Sequence, residues 1–241
     1  VLDTSTPNIA RAYDYLLGGG ANFAADRALA GRLQGLYPRT GDLLLFSRTY
    51  LADSLAHVAR SGVDQYLDVG SGLPTSPSTH ETVRRFLPLA RVVCVDRDPA
   101  VVRHASALVP PGVRFVEGDL AEPEAILAAL SGLINLSRPA CLVLTMVLQL
   151  LDPGTARAVV GVLVRALAPG SYLVISVGAG ESGRLPDAVA PGGFTPEDFA
   201  SFFGGLELVP PGIRQGDVLC ALARKAPLHT LQPQQPHTRH G

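Results

Sequence analysis

From Val63 onward the chain repeats one pattern: a short run of β-branched and aliphatic residues, then a stretch with helical periodicity. Strand-like runs fall at 65–69, 91–95, 113–117, 140–147, 171–177, 206–209 and 217–223, with helical stretches at 79–87, 98–108, 122–130 and 153–167. Ala140-Cys141-Leu142-Val143-Leu144 shows no polar alternation, so both faces of that strand must be covered. Repeated strand–helix units impose right-handed crossovers and place helices on both sides of the strands. The expected fold class is therefore α/β, a three-layer sandwich around a doubly wound, mostly parallel seven-stranded sheet. The last two runs are too close together for a crossover helix, which predicts an antiparallel edge pair. Thr195-Pro196-Glu197-Asp198 reads as a helix start, with Thr195 as the cap and Pro196 in the first turn.

Residues 1–61 differ in kind, because they show helical periodicity alone. Pro7 can open a first helix carrying Ile9, Tyr13, Leu16 and Leu17, and Gly18-Gly19-Gly20 stops it. A second helix is predicted over 24–35 and a third after Thr40, with Leu44, Phe46, Tyr50, Leu51, Leu55 and Val58 close to one stripe. The chain thus divides into a helical extension (1–61), a strand–helix domain (62–225) and a tail (226–241) rich in Gln, Pro and His. That tail is expected to be disordered, so its His229, His237 and His240 receive no role. The Gly- and Pro-rich stretch 178–194 is expected to be mobile and to form part of a pocket wall.

A net charge of −1 and the lack of any Lys/Arg run argue against a nucleic-acid partner. No apolar stretch reaches membrane-span length, and Val1-Leu2-Asp3-Thr4 lacks the basic-then-apolar order of a secretory signal. Cys94, Cys141 and Cys220 each lie inside a predicted strand, at spacings that match no zinc pattern. They read as buried reduced thiols, which places the protein in the cytoplasm.

The chemistry is concentrated at strand ends. Tyr66-Leu67-Asp68-Val69-Gly70-Ser71-Gly72-Leu73-Pro74 is an apolar strand ending in an acid, followed by a glycine-rich turn. In an open α/β sheet the ligand crevice lies beyond the carboxyl ends of the strands. Gly70 and Gly72 remove Cβ atoms there, and the Asp68 carboxylate can bind a ligand ammonium but would repel a pyrophosphate. Asp96 closes the next strand, where a carboxylate accepts hydrogen bonds from ribose hydroxyls. Asp119 follows the third strand and can accept from an adenine amino group, with Leu120 packing on the ring. Any one acid could be a helix cap or a solvated loop residue. Acids at the ends of three successive strands point to an adenosine-type ligand.

The rival is a dinucleotide oxidoreductase, whose fingerprint is Gly-x-Gly-x-x-Gly. Here the third position is Thr75, preceded by Pro74, and Asp68 would crowd the pyrophosphate. The single lysine, Lys225, belongs to no Walker motif, and no Gly-x-Ser-x-Gly elbow is present.

At these residues the chain resembles a bacterial family of S-adenosyl-L-methionine-dependent methyltransferases, once catalogued only as a domain of unknown function. The resemblance rests on Ala10-Arg11-Ala12-Tyr13-Asp14-Tyr15-Leu16-Leu17-Gly18-Gly19, on Asn22-Phe23 and on Asp26-Arg27. It continues through Leu67–Thr75 with His80-Glu81, through Val95-Asp96-Arg97-Asp98-Pro99, and through Ala168-Pro169-Gly170-Ser171-Tyr172-Leu173. It implies a class I, Rossmann-like sheet with an N-terminal helical lid, and S-adenosyl-L-methionine as cofactor. The cofactor-contacting set it suggests is Asp68, Gly70, Ser71, Gly72, Asp96, Arg97, Asp119, Leu120, Met146 and Arg11, the last pairing with the methionine carboxylate. The candidate catalytic residues are His80, Gln149 and Tyr13. Another role stands beside each: a helix cap or a contact to the cofactor's carboxylate end for His80, a core ring for Tyr13, a solvated charge for Arg11.

Several positions depart from the family pattern. Gly19-Gly20-Ala21-Asn22-Phe23 replaces Gly-Lys-Asp-Asn-Phe, Gln149 replaces a His at the end of strand four, and Val177 replaces a His after Ser176. Loss of two imidazoles favours an acceptor that is already nucleophilic: an amine, a thiol or a stabilised carbanion. The expected function is in-line methyl transfer to a small molecule, possible in a natural-product pathway. An enzyme using the cofactor for non-methylating chemistry, or a non-catalytic cofactor-binding module, remains the alternative. The oligomeric state is left open, a homodimer included.

Overall fold

The computed structural model describes residues 3–180 and 193–227. Seven strands form one sheet: β1 (Gln65–Val69), β2 (Arg91–Asp96), β3 (Val113–Glu117), β4 (Cys141–Thr145), β5 (Tyr172–Gly178), β6 (Leu206–Leu208) and β7 (Val218–Lys225). Their order is β3-β2-β1-β4-β5-β7-β6, parallel except that β7 runs antiparallel to both β5 and β6. The expected antiparallel pair at the edge is present, with β7 inserted between β5 and β6. Chain order reverses at β1, which lies between β2 and β4, so the crevice beyond the carboxyl ends of β1 and β4 is the topological switch point.

Helices cover both faces: α1 (Ile9–Leu16), α2 (Ala24–Leu36), α3 (Thr40–Arg60), α4 (Thr79–Arg84), α5 (Pro99–Leu108), α6 (Pro123–Ala129), α7 (Pro153–Ala166) and α8 (Pro196–Ala200). Because successive side chains of a strand point to opposite faces, the apolar runs supply two cores at once. Leu67, Val69, Leu142, Leu144 and Ile175 pack with Ile126, Val160, Leu163 and the Phe194–Phe199–Phe202–Phe203 cluster. Tyr66, Val92, Cys94, Cys141, Val143, Val174 and Cys220 face the other way, against Leu51, Leu55 and Val58 of α3 and Val83 of α4. The three cysteines are buried and free, and burial pushes their thiols above the usual range.

One boundary differs from the sequence reading. α3, grouped there with the helical extension, is a layer of the sheet domain. Its apolar stripe shares the core of β1, β4, β5 and β7, and the buried hydroxyls of Ser47 and Ser176 share a hydrogen bond of 2.7 Å. The α1–α2 pair, the part left of the expected lid, has a small core of its own made of Ala12, Leu29, Ala30 and Leu33.

Two element ends also shift. α1 starts after Asn8 rather than at Pro7, because the Asn8 side chain accepts from Arg11 N. β4 stops at Thr145, since Met146 turns to φ 53°, outside any strand, while its N–H still donates to Ser176 O. The expectation for 178–194 falls mostly, and that for 226–241 almost wholly, outside the described residues. Among the described residues no helix is long and apolar enough to cross a membrane.

Candidate active site

The glycine turn is built by backbone. Gly70 and Gly72 adopt φ 72° and 62°, values that L side chains rarely tolerate, and the N–H groups of Gly70 and Ser71 donate to Val95 O at the end of β2. At Gly70 the missing Cβ makes room for protein: it would lie 2.1 Å from Val147 Cγ2. At Gly72 it would lie 3.4 Å from Ala10 of the lid. The turn is thus clasped between the chain after β4 and α1, a packing reason for glycine that the ligand-clearance argument does not contain.

Beyond this turn lies a cavity of about 200 Å³, roofed by Ile9, Ala10 and Tyr13 of α1 and walled by Asp68, Gly70–Leu73, Asp96, Asp119, Leu120 and Thr145–Val147. It shares the rim Asn8, Arg97, Asp98, Gly118 and Asp119 with an outer cavity of about 770 Å³. The carboxylates that end the first three strands therefore meet in one space, as does Leu120. Asp68 is buried at the inner end, where Thr79 Oγ1 donates to its Oδ2 at 2.5 Å. Burial raises its pKa, against the Thr79 hydrogen bond and the nearby Arg48 charge. Asp96 accepts from Gly72 N on Oδ2 (2.9 Å) and from Asp98 N on Oδ1 (3.0 Å), and burial raises its pKa too. Asp119 Oδ1 accepts from Ala121 N at 2.9 Å.

Of the remaining expected residues, Ser71, Arg97, Met146 and Tyr13 line the cavity. Desolvation raises the Tyr13 phenol to about 12, with Arg48 and Asp68 both close enough to act on it, so it is a neutral hydrogen-bonding group at physiological pH.

Three expected residues do not line the inner cavity. Arg11 neither reaches toward Asp68 nor lies in solvent. It is buried inside the lid, its Nε donating to Asp26 Oδ2 at 2.8 Å and its Nη2 to the carbonyls of Thr6 and Asp3. Asp26 also accepts from Asn8 N and Phe23 N, so the ion pair fastens the start of α1 to the start of α2. His80 is buried on the first turn of α4, with Nδ1 2.9 Å from Ser78 Oγ. Ser78, not His80, caps that helix, and desolvation lowers the imidazole pKa. Gln149 lies in the turn after β4, and its Nε2 donates to Met146 O at 2.9 Å. It holds the strained Met146 that lines the cavity rather than lining it.

Sequence reasoning passed over Arg48, Asn8 and Thr79. Arg48 lines the cavity from α3, and the Asn8 side chain donates to Asp98, tying the lid to the loop beyond Asp96. None belongs to a local motif: Asn8 and Asp98 are 90 positions apart. A helix wheel of α3 places Arg48 beside the apolar stripe, which alone marks no site.

Comparison with known families matches residues 1–219 to the model described as S-adenosyl methyltransferase. The chain belongs to that family. A DUF574 family protein from Streptomyces avermitilis is 31% identical, with 92% of this chain and 99% of that one aligned at a TM-score of 0.84. A candidate methyltransferase from Thermobifida fusca is 35% identical, over 93% of this chain and 97% of that one, at a TM-score of 0.83. An O-methyltransferase family protein from Burkholderia thailandensis shares the fold alone, at 16% identity and a TM-score of 0.55 over 82% of this chain and 70% of that one. No curated protein sequence matches. The methyltransferase thus uses S-adenosyl-L-methionine on a class I, Rossmann-like sheet. Its cavity suits that cofactor: four carboxylates (Asp68, Asp96, Asp98 and Asp119), Asp68 and Asp96 desolvated, favour a ligand rich in positive charge and donors.

Proposed function

We propose that the methyltransferase transfers the methyl group in line to a small molecule whose acceptor atom is nucleophilic without deprotonation by the protein: an amine, a thiol or a stabilised carbanion. In this reading Asp68 holds the cofactor ammonium, Asp96 the ribose hydroxyls and Asp119 the adenine amine, while Leu120 packs on the base. Gly70, Ser71 and Gly72 form the floor, and Arg97 borders the adenosine end. When bound, S-adenosyl-L-methionine supplies a methyl group on a sulfonium that is already a good leaving group. The protein then needs chiefly to align the acceptor and exclude water.

One observation carries the acceptor class. Among the described residues, those lining the inner cavity include no His, Cys or Lys, and the phenol among them, Tyr13, is held neutral by burial. Tyr13 is suited to donate a hydrogen bond that orients the acceptor, not to remove its proton. Met146, Leu150 and Leu151 add an apolar wall, which favours a compact acceptor and keeps water from the reacting atoms. The buried free thiols of Cys94, Cys141 and Cys220 support a cytoplasmic enzyme.

The test is turnover of the full chain with S-adenosyl-L-methionine and a panel of small amines, thiols, phenols and activated carbon acids. S-adenosylhomocysteine should form with an amine, thiol or carbon acid, with a pH profile that follows the acceptor's own loss of its proton to solvent and carries no further limb from an imidazole base. Consumption of an acceptor without S-adenosylhomocysteine would sink methyl transfer. Exclusive use of unactivated alcohols would sink the acceptor class.

A further inference from the structure

The inner cavity holds two opposite charges that do not meet. Asp68, at the end of β1, and Arg48, on α3, both line it, and Tyr13 of the lid lies in the field of each. Arg48 also favours the ionised form of Asp68. Yet the ion pairs among the described residues are Arg11–Asp26, Arg39–Asp217 and Arg138–Asp64, and none joins Arg48 to Asp68. Arg48 is held from behind, because the hydrogen bonds to the carbonyls of Thr75 and Pro77 both use Nη2. A guanidinium carries five donors; with Nη2 spent on the two carbonyls, the hydrogens of Nε and Nη1 remain to serve another group.

Of the other nearby cations, one is committed within the protein and one stands at the Asp96 rim. Arg11 is closed on Asp26 inside the lid. Arg97 is exposed and follows Asp96 directly, at the rim shared with the outer cavity. At the Asp68 end Arg48 is the cation that lines the cavity. A buried carboxylate and a fork-shaped cation separated by a gap suit a molecule bearing ammonium and carboxylate on one carbon. We propose that Arg48 binds the carboxylate of the cofactor's amino-acid end while Asp68 takes its ammonium, so that the cavity selects the zwitterion and not the nucleoside alone. The proposal rests on the cofactor role given to Asp68 above. It assigns to α3, a helix of the sheet domain, the task that the sequence suggested for Arg11 of the lid.

Titration calorimetry on the full chain tests this with two ligands: S-adenosylhomocysteine, and 5′-methylthioadenosine, which lacks the amino-acid end. Arg48→Met should weaken S-adenosylhomocysteine by about 10- to 100-fold, the range for a charge-assisted hydrogen-bonded pair. Affinity for 5′-methylthioadenosine should stay within about twofold, a margin well below the effect of one neutral hydrogen bond. Arg48→Lys should fall between, since an ammonium keeps the charge and loses the fork. Equal losses for both ligands would overturn the proposal, because Arg48 would then only support the loop at Thr75 and Pro77. An unchanged affinity for S-adenosylhomocysteine would overturn it as well. Should the Met variant fail to fold, wild type and Arg48→Lys are compared for S-adenosyl-L-methionine against its decarboxylated form. The preference for the carboxylated ligand must shrink in the Lys variant, and an equal preference in both proteins rejects the idea. A wild-type chain that binds none of these nucleosides would defeat the cofactor assignment itself, a different outcome from indifference to position 48.

Discussion

The molecule contains two arginine–aspartate arrangements, one wholly buried and one of buried Asp68 with half-buried Arg48, and they are built to opposite ends. In the lid, Arg11 and Asp26 are in direct contact at 2.8 Å, and Asp26 accepts two backbone N–H bonds besides. Every strong group there is answered by protein. In the cavity, Asp68 and Arg48 line the same space without contact, and burial raises the pKa of Asp68 above the usual carboxylate range. A closed pair stabilises the fold once made, because removing one partner strands the other in a poor solvent. An open pair costs stability and gains it back only when a ligand supplies the missing charges. The degree of internal satisfaction therefore separates a structural charge from a binding one.

Breaking the closed pair should give the largest effect. Arg11→Met leaves Asp26, fully buried, without its countercharge, and should destabilise the fold by about 3 kcal/mol, measured by urea denaturation. A change under about 0.5 kcal/mol, the level of an ordinary surface substitution, would remove the distinction drawn here. Asp68→Asn should do the reverse. Stability should change by less than about 1 kcal/mol, since its charge is already disfavoured by burial, while affinity for S-adenosyl-L-methionine falls by about 10- to 100-fold. Calorimetry and urea melts on the same sample would read both.

The open pair also sets a pH dependence. With Asp68 as the proposed ammonium partner, which requires its ionised form, cofactor affinity should fall as pH drops through its raised pKa, at higher pH than for an exposed aspartate. Thr79 and Arg48 lower that pKa, whereas burial and Asp96 raise it, and the Tyr13 phenol stays neutral throughout. In Arg48→Met one lowering charge is gone, and the acid limb of the affinity–pH curve should move upward; a curve that does not move would show that the two charges act independently. The smallest effect is expected at His80, which is buried against Ser78 and off the inner cavity. His80→Gln should leave kcat and its pH profile within about twofold, well short of the loss that removing a general base gives. A hundredfold loss would return His80 to the catalytic set.

The strands and most of the sheet's helices were legible because each is encoded within a few residues. Gln65–Val69 and Val113–Glu117 coincide with the apolar runs read from the sequence, and Thr195 caps α8 as its Thr-Pro-Glu-Asp sequence predicts. Asp68, Asp96 and Asp119 were legible for the same reason, as an acid closing a strand is a local signal. Arg11, His80 and Gln149 were chosen as polar residues inside family motifs, and their partners lie where a motif does not look. Arg11 turns to Asp26, 15 positions on, and Gln149 turns back to the Met146 carbonyl. Arg48 was invisible because nothing near it in the chain is part of the site. Its neighbours there come from α1, β1 and the loop at Thr75–Pro77.

By itself the order of apolar runs, glycines and strand-ending acids determined a doubly wound sheet with an acid-lined crevice at β1. Hydrophobic periodicity and backbone geometry act over a few residues, so they can be read along a line. Which arginine faces the crevice, which glycine makes room for Val147, and where the lid ends and the sheet's own layer begins were decided only by packing. Those outcomes depend on which distant side chains share a volume and which charges remain without a partner inside it, and folding alone brings such groups together.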